Sequence, residues 1–234
     1  LLGLSLLVVS RIREVPMSFE RAYGWAGLHQ TLGDIRRVLV DDHRVRWIIA
    51  GRVLRSSGVL FGTYITPAFI ARCHLTDRDM WLPVTLITMS EIICHLFAGW
   101  FIDRVGVKPA LVISALAVAF CSAIIIRAET ISVFVLLAIL APIGGAFLQS
   151  AWQTLLLKLT TVEMRPAYTT AITLGTTPGT LAILLVGIAL VRFTGFNYVF
   201  YVSGLGTLAA AAVFYLRMPH ILQAPEDVWH PKIE

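Results

Sequence analysis

Gly99-Trp100-Phe101-Ile102-Asp103-Arg104-Val105-Gly106-Val107-Lys108-Pro109 is the stretch whose reading decides the fold. It sets a few charged residues between two runs of almost pure hydrocarbon, Met80 to Ile102 and Pro109 to Ile126. Runs of this kind read as helices crossing a bilayer, which takes about 20 apolar residues. Joined by so short a turn, they predict a tight antiparallel hairpin. Gly99 is expected to let the two backbones approach, and Gly106 to supply a positive φ. Asp103 is expected to satisfy free amides at a helix start. Arg104 and Lys108 are expected to hold the turn on the side rich in Lys and Arg.

Composition agrees with this reading. Hydrophobic residues make up 57% of the chain and charged residues only 14%, with a mean hydropathy of +0.79. A soluble domain carries about 25% charged residues, so the chain reads as an integral membrane protein. The net charge of +5 does not call for nucleic acid. Its basic residues gather at the ends of apolar segments, where anionic lipid of the bilayer is the expected partner. Cys73, Cys94 and Cys121 show no metal-ligand spacing, and the last two lie inside apolar runs as packing residues. No cofactor or metal is expected. The chain has no G-x-x-x-x-G-K-[ST] phosphate loop, no H-E-x-x-H among its six histidines and no G-x-S-x-G, so neither an ATP-driven pump nor an enzyme has support.

Taken in order, residues 1–9 are apolar but too short to span, and read as the tail of a preceding transmembrane helix. Residues 10–46 form a polar cytosolic linker. Within it Leu28, Leu32, Ile35 and Leu39 recur at helical spacing, while Arg36, Arg37, Asp41 and Asp42 face elsewhere. This pattern fits an amphipathic helix on the membrane surface, and equally one packed on the cytosolic ends of its neighbours. Six spans follow as a bundle over 47–216, near 47–70, 81–102, 109–126, 131–157, 167–191 and 197–216. Residues 217–234 read as an irregular cytosolic tail. Segments 10–46, 103–108, 158–166 and 217–234 hold thirteen Lys and Arg, against four in 71–80, 127–130 and 192–196. That asymmetry puts both chain ends and the turn in the cytosol.

The turn's pattern, G-x-x-x-D-R-x-G-x-K over Gly99, Asp103, Arg104, Gly106 and Lys108, resembles the loop signature of the major facilitator superfamily of secondary transporters. One position departs: the family usually has Arg before the Lys, and here it is Val107. The resemblance covers the turn in motif and nearly the whole chain in layout. It implies an all-α polytopic membrane protein, the C-terminal half of the family's fold, with six transmembrane helices as two inverted three-helix repeats (47–126 and 131–216). It further implies secondary transport of a small solute by alternating access, in the inner membrane of a bacterial-type cell, with a missing N-terminal half or a second copy as partner. A receptor or scaffold using the same fold without transport is the rival reading.

Polarity along the spans suggests which of them meet water. Spans 109–126 and 197–216 carry no charge between their ends and are expected to be peripheral. The other four carry costly groups: Arg52 and Arg55, Glu91 and His95, Gln149 and Gln153, and Thr169, Thr173, Thr177 and Thr180. At 1.5 Å per residue, Arg55, His95 and Gln149 lie roughly 12–13 Å from the cytosolic edge and Glu91 roughly 18 Å. An ionisable group facing lipid there costs at least about 2.5–3.5 kcal/mol, so these residues are expected to face one another or a wet cavity. Glu91 and His95, four apart, share a face. With Arg55 as counter-charge they read either as a proton relay, making the proton the candidate coupling ion, or as a polar clip between helices. Arg52 is shallow enough to snorkel to headgroups. Gln149 and Gln153 fit substrate binding or interhelical glue equally. Gly175-Thr176-Thr177-Pro178-Gly179 is expected to interrupt the fifth span, with Pro178 and Gly179 as a hinge or a static kink. Pro142 with Gly144-Gly145 does the same in the fourth.

Overall fold

A computed structural model describes residues 25–74, 77–161 and 164–222. The chain divides into two compact units between Asp34 and Ile35. Of the first, residues 25–34 are described, and they are helical. Residues 1–24 and 223–234, and so the expected leading helix remnant and much of the tail, lie outside the described residues. The described residues form eight helices: α1 (Trp25–Asp41), α2 (His43–Ser56), α3 (Gly58–Cys73), α4 (Asp77–Val105), α5 (Val107–Ile126), α6 (Ile131–Leu159), α7 (Arg165–Phe193) and α8 (Phe196–Leu222). The last runs six residues past the expected end, through Pro219.

Five of these, α4 to α8, are long and apolar enough to cross a membrane. The first expected span is instead two shorter helices, α2 and α3, meeting at Ser57. Nothing there is a proline. The Ser57 amide donates to Leu54 O at 3.2 Å and Leu60 N to Ser57 O at 3.1 Å, a local tightening to three-residue hydrogen bonds. Ser56 and Ser57 turn their hydroxyls back to Val53 O (2.6 Å) and Leu54 O (2.7 Å), competing with the helical ladder. Ser-Ser-Gly is a sequence that bends helices by this route. By contrast the prolines do not break theirs: α6 is helical through Pro142 and α7 through Pro178. α7 runs as helix straight through 175–179, so the expected interruption does not end the helix.

Packing follows a simple rule. The first three-helix set is α2–α3 together, α4 and α5; the second is α6, α7 and α8. The third members, α5 and α8, pack on each other. α4 packs on α6 as α7 packs on α2, and α5 packs on α6 as α8 packs on α2 and α3. Each pairing maps onto another when the two sets are exchanged. Three spans per set means that the second begins on the opposite side of the bilayer from the first, so the repeats are inverted. The chain is thus an all-α polytopic membrane fold.

Two expectations from the opening stretch change here. First, α4 and α5 scarcely touch beyond their turn, since α6 takes the face of α4 that the hairpin would have used. A Cβ added at Gly99 would meet nothing within 4 Å, so this glycine brings no backbones together within the chain. Second, the charge-free helices α5 and α8 are not peripheral. Half of the apolar window of α5 is buried (50%), against 11% for α4 and for α7, which form the rims. With no hydrophobic drive to associate in lipid, close packing of small residues selects the inner pair. Ser114, Ser122, Ser203, Thr207, Ala210 and Ala211 are buried there, and Ser122 Oγ donates to Ser203 Oγ at 3.2 Å.

The core has two apolar clusters. One includes Ile48, Leu111, Phe147 and Leu155, near the Gly106 turn; the other includes Phe61, Phe69, Ile125, Phe134 and Phe200, toward the opposite side. Between them lies a thin polar layer at the level of Arg55, Ser57, Ser114 and Gly144. In α1, Ile35 and Val38 are buried in the first cluster, so that end of the linker helix is packed onto the bundle rather than laid on lipid. Asp42 caps α2 by accepting from Arg44 N at 2.9 Å and is itself reached by Tyr168 Oη of α7 at 2.8 Å. At the far end Arg72 donates to Ile125 O, Ala128 O and Asn197 Oδ1, tying off the last carbonyls of α5.

Candidate functional site

The junction of α2 and α3, where Ser57 keeps helical angles (φ −57°, ψ −27°), borders the site. Arg55, at the last turn of α2, is only 5% exposed. Its Nε donates to Ser114 Oγ at 3.2 Å and its Nη2 to Gly144 O at 3.0 Å, and Ser114 Oγ donates to the same carbonyl at 2.8 Å. Glycine makes the space. A Cβ at Gly58 would collide with Arg55 Nη1, and one at Gly144 would press on Val118, on Ser114 O and, at 3.4 Å, on Arg55 Nη2. Gly144 therefore serves Arg55, which the sequence reading treated only as part of a bend.

Two adjoining cavities lie beside this layer. The first, about 460 Å³, is lined by Arg52, Arg55, Thr173, Thr176, Thr177 and Thr180 together with Val59, Leu148, Leu181 and Leu184. The second, about 320 Å³, is lined by Arg52, Gln149, Trp152, Gln153, Thr169 and Thr173. Arg52, Leu148 and Thr173 belong to both. Five of the seven expected pathway residues, Arg55, Gln149, Gln153, Thr173 and Thr177, thus come together on α2, α6 and α7.

Glu91 and His95 do not join them. They meet each other as their four-residue spacing predicts, His95 Nε2 to Glu91 Oε1 at 4.0 Å, but on the rim helix α4, with side chains 57% and 39% exposed respectively. Arg55 is not their counter-charge: its bonds go to Ser114 of α5 and to Gly144 of α6. Helix period explains the failure, since depth was legible from residue number but azimuth around the bundle was not. Arg52 is also reassigned. Its guanidinium lies 4.2 Å from the centre of the Trp152 ring, facing the cavities rather than the headgroups.

The turn residues are placed as follows. Gly106 has φ 108°, ψ 172°, a backbone conformation that requires glycine, and α5 begins at the next residue. Asp103 stays inside α4, and no side chain caps α5, so its expected capping role is not met. Arg104 lies over Trp100 (4.9 Å) and Lys108 over Tyr215 (4.5 Å), each held against a ring. Gly179 is a packing residue. A Cβ on it would come within 2.7 Å of Val53 Cγ1, and one at Gly175 within 2.6 Å of Ile49 Cδ1, so α7 leans on α2 through its glycines. Ser114 and Thr176 were missed in sequence. Ser114 sits on a charge-free helix, and Thr176 lies off the stripe that Thr169, Thr173, Thr177 and Thr180 define.

A family model described as Major Facilitator Superfamily matches residues 56–232. The chain is similar to putative multidrug resistance proteins MdtD, 23% identical to that of Pectobacterium atrosepticum and 25% to that of Cronobacter sakazakii, in each case over 76% of this chain and 38% of the relative. It is 27% identical to multidrug resistance protein 2 of Bacillus subtilis over 43% of this chain and 25% of that protein. The chain spans about two fifths of the length of the MdtD relatives.

Proposed function

The chain belongs to the Major Facilitator Superfamily, and from this premise we propose that it is the C-terminal half of a secondary transporter moving a small organic solute by alternating access. One observation carries the reading: the adjoining cavities between α2, α6 and α7, where Arg55, Gln149, Gln153, Thr173 and Thr177 converge beside the α2–α3 junction. A purely structural scaffold of the same fold has no need of such a cavity, and for a receptor the flux measurement below decides. The relatives are named multidrug resistance proteins, and Val59, Leu181 and Leu184 on the wall suit cargo with apolar surface.

The rims supply the second half of the proposal. α4 and α7 present wide uncovered faces, and α4 carries Glu91 and His95 on its own. A carboxylate left to lipid at that depth would be costly. A missing N-terminal half, or a second copy, covers these faces, and Glu91 with His95 then exchanges a proton at the seam during the cycle. In this reading both chain ends are cytosolic and the membrane is a bacterial-type inner membrane. Pro142 and Pro178, in unbroken helices, act as sites of bending between states. The test is uptake or efflux by the complete transporter in vesicles across a range of external pH. Glu91→Gln is expected to flatten the pH dependence, and an unchanged profile would reject the proton role.

A further inference from the structure

Charge in the cavities is unbalanced. Arg52 and Arg55 line them, and no Asp or Glu does so among the described residues. The ion pairs found among the described side chains are Asp42 with Arg44 and Glu91 with His95, both elsewhere. Arg55 has only neutral partners, and its Nη1 has no hydrogen-bond partner among the described residues. Two cations in a low-dielectric site without a counter-ion are expensive unless something else brings the negative charge.

The same walls hold spare donors. Thr176, Thr177 and Thr180 direct their hydroxyls to carbonyls one turn back. The Thr173 hydroxyl and the amides of Gln149 and Gln153 have no such partner among the described residues, and all three line the second cavity. Polarity also grades along α7. From Thr173 to Leu184, roughly 16 Å of helix, the lining passes from donors beside the arginines to Leu181 and Leu184 opposite Val59.

We propose that this site binds an amphipathic organic anion, its carboxylate, sulfonate or phosphate held by Arg55 Nη1, Arg52 and Thr173 and its apolar body against Val59, Leu181 and Leu184. The inference rests on the transport reading for its physiological role, but binding itself does not depend on it. Guanidinium suits the task because it stays charged and offers several donors in a plane.

The experiment uses the complete transporter in phosphatidylcholine nanodiscs and proteoliposomes, with two bicyclic ions of similar size and permanent, opposite charge: naphthalene-2-sulfonate and N-methylquinolinium. The sulfonate is expected to bind at least tenfold tighter than the quinolinium. Arg52→Gln, which leaves the bonds of Arg55 intact, is expected to weaken the sulfonate severalfold, and Arg55→Gln more than tenfold with partial recovery in Arg55→Lys. Should Arg55→Gln fail to fold, Arg52→Gln and Thr173→Val carry the test. Equal or stronger binding of the quinolinium, no binding of either ion, or a sulfonate affinity indifferent to Arg52→Gln and Thr173→Val would overturn the proposal. Sulfonate binding without flux in proteoliposomes would uphold the anion site and sink the transport reading, whereas flux of the quinolinium alone would do the reverse. Displacement of the sulfonate by added phosphatidylglycerol would assign the site to a lipid headgroup and overturn the solute.

Discussion

Glycines decide more at this protein than its charged residues do, and they do so in different ways. Gly106 is required by its backbone: a side chain at φ 108°, ψ 172° is strained by about 1–3 kcal/mol. Gly106→Ala is therefore expected to lower the thermal midpoint by several degrees in a fluorescence unfolding assay. Gly99→Ala makes the opposite case. Its Cβ meets open space within the chain, and Ala is favoured over Gly in a helix by roughly 0.5–1 kcal/mol. The isolated chain should be unchanged or slightly stabilised by it. If the same change lowers the melting temperature of the complete transporter, Gly99 lies under the covering half. Both glycines sit in one motif, and the positive φ expected at Gly106 is found while the close approach expected at Gly99 is not. Backbone conformation separates them, since a Cβ at either would meet nothing within 4 Å.

At the scale of elements, where helices break and where they bend part company. The sequence reading put the weak points at Pro142 and Pro178, following the missing N–H. Yet α6 and α7 are continuous, and the local tightening falls at Ser57, where three-residue hydrogen bonds and serine hydroxyls join α2 to α3. Pro178→Ala should thus raise stability, restoring a backbone bond without disturbing α7, while transport falls if Pro178 bends between states. A melting curve beside a flux measurement separates the two. Gly179→Leu should do more harm, because α7 cannot withdraw from Val53 without losing its contact with α2. Overpacking of this kind costs about 1–3 kcal/mol, visible as a lower melting temperature and as loss of flux.

For the whole molecule the question is what covers α4 and α7. Their outer faces carry large apolar side chains, including Ile93 (66% exposed) on α4 and Leu185 (58%) on α7. Single cysteines at these two positions, in a protein lacking Cys73, Cys94 and Cys121, should react with N-ethylmaleimide when the chain is expressed alone. In the complete transporter both should be protected, whereas a cysteine at Leu157 on α6 (54% exposed) serves as the unprotected reference. Equal reactivity with and without the other half would show that the rims face lipid.

Membrane insertion, helical class and the glycine turn were determined by the sequence by itself, because a span needs its own length of apolar residues and its own internal hydrogen bonds. Arg55 and Gln149, expected at one level, line two adjoining cavities. Rotation around the bundle was not legible. All helices crossing a bilayer are apolar over most of their surface, so a weak amphipathic signal cannot say which face meets a neighbour. Close packing of small residues made α5 and α8 the inner pair, sent Glu91 and His95 to a rim and turned Arg52 toward Trp152. Those choices depend on which backbones can approach across the fold, and only the tertiary structure holds that information.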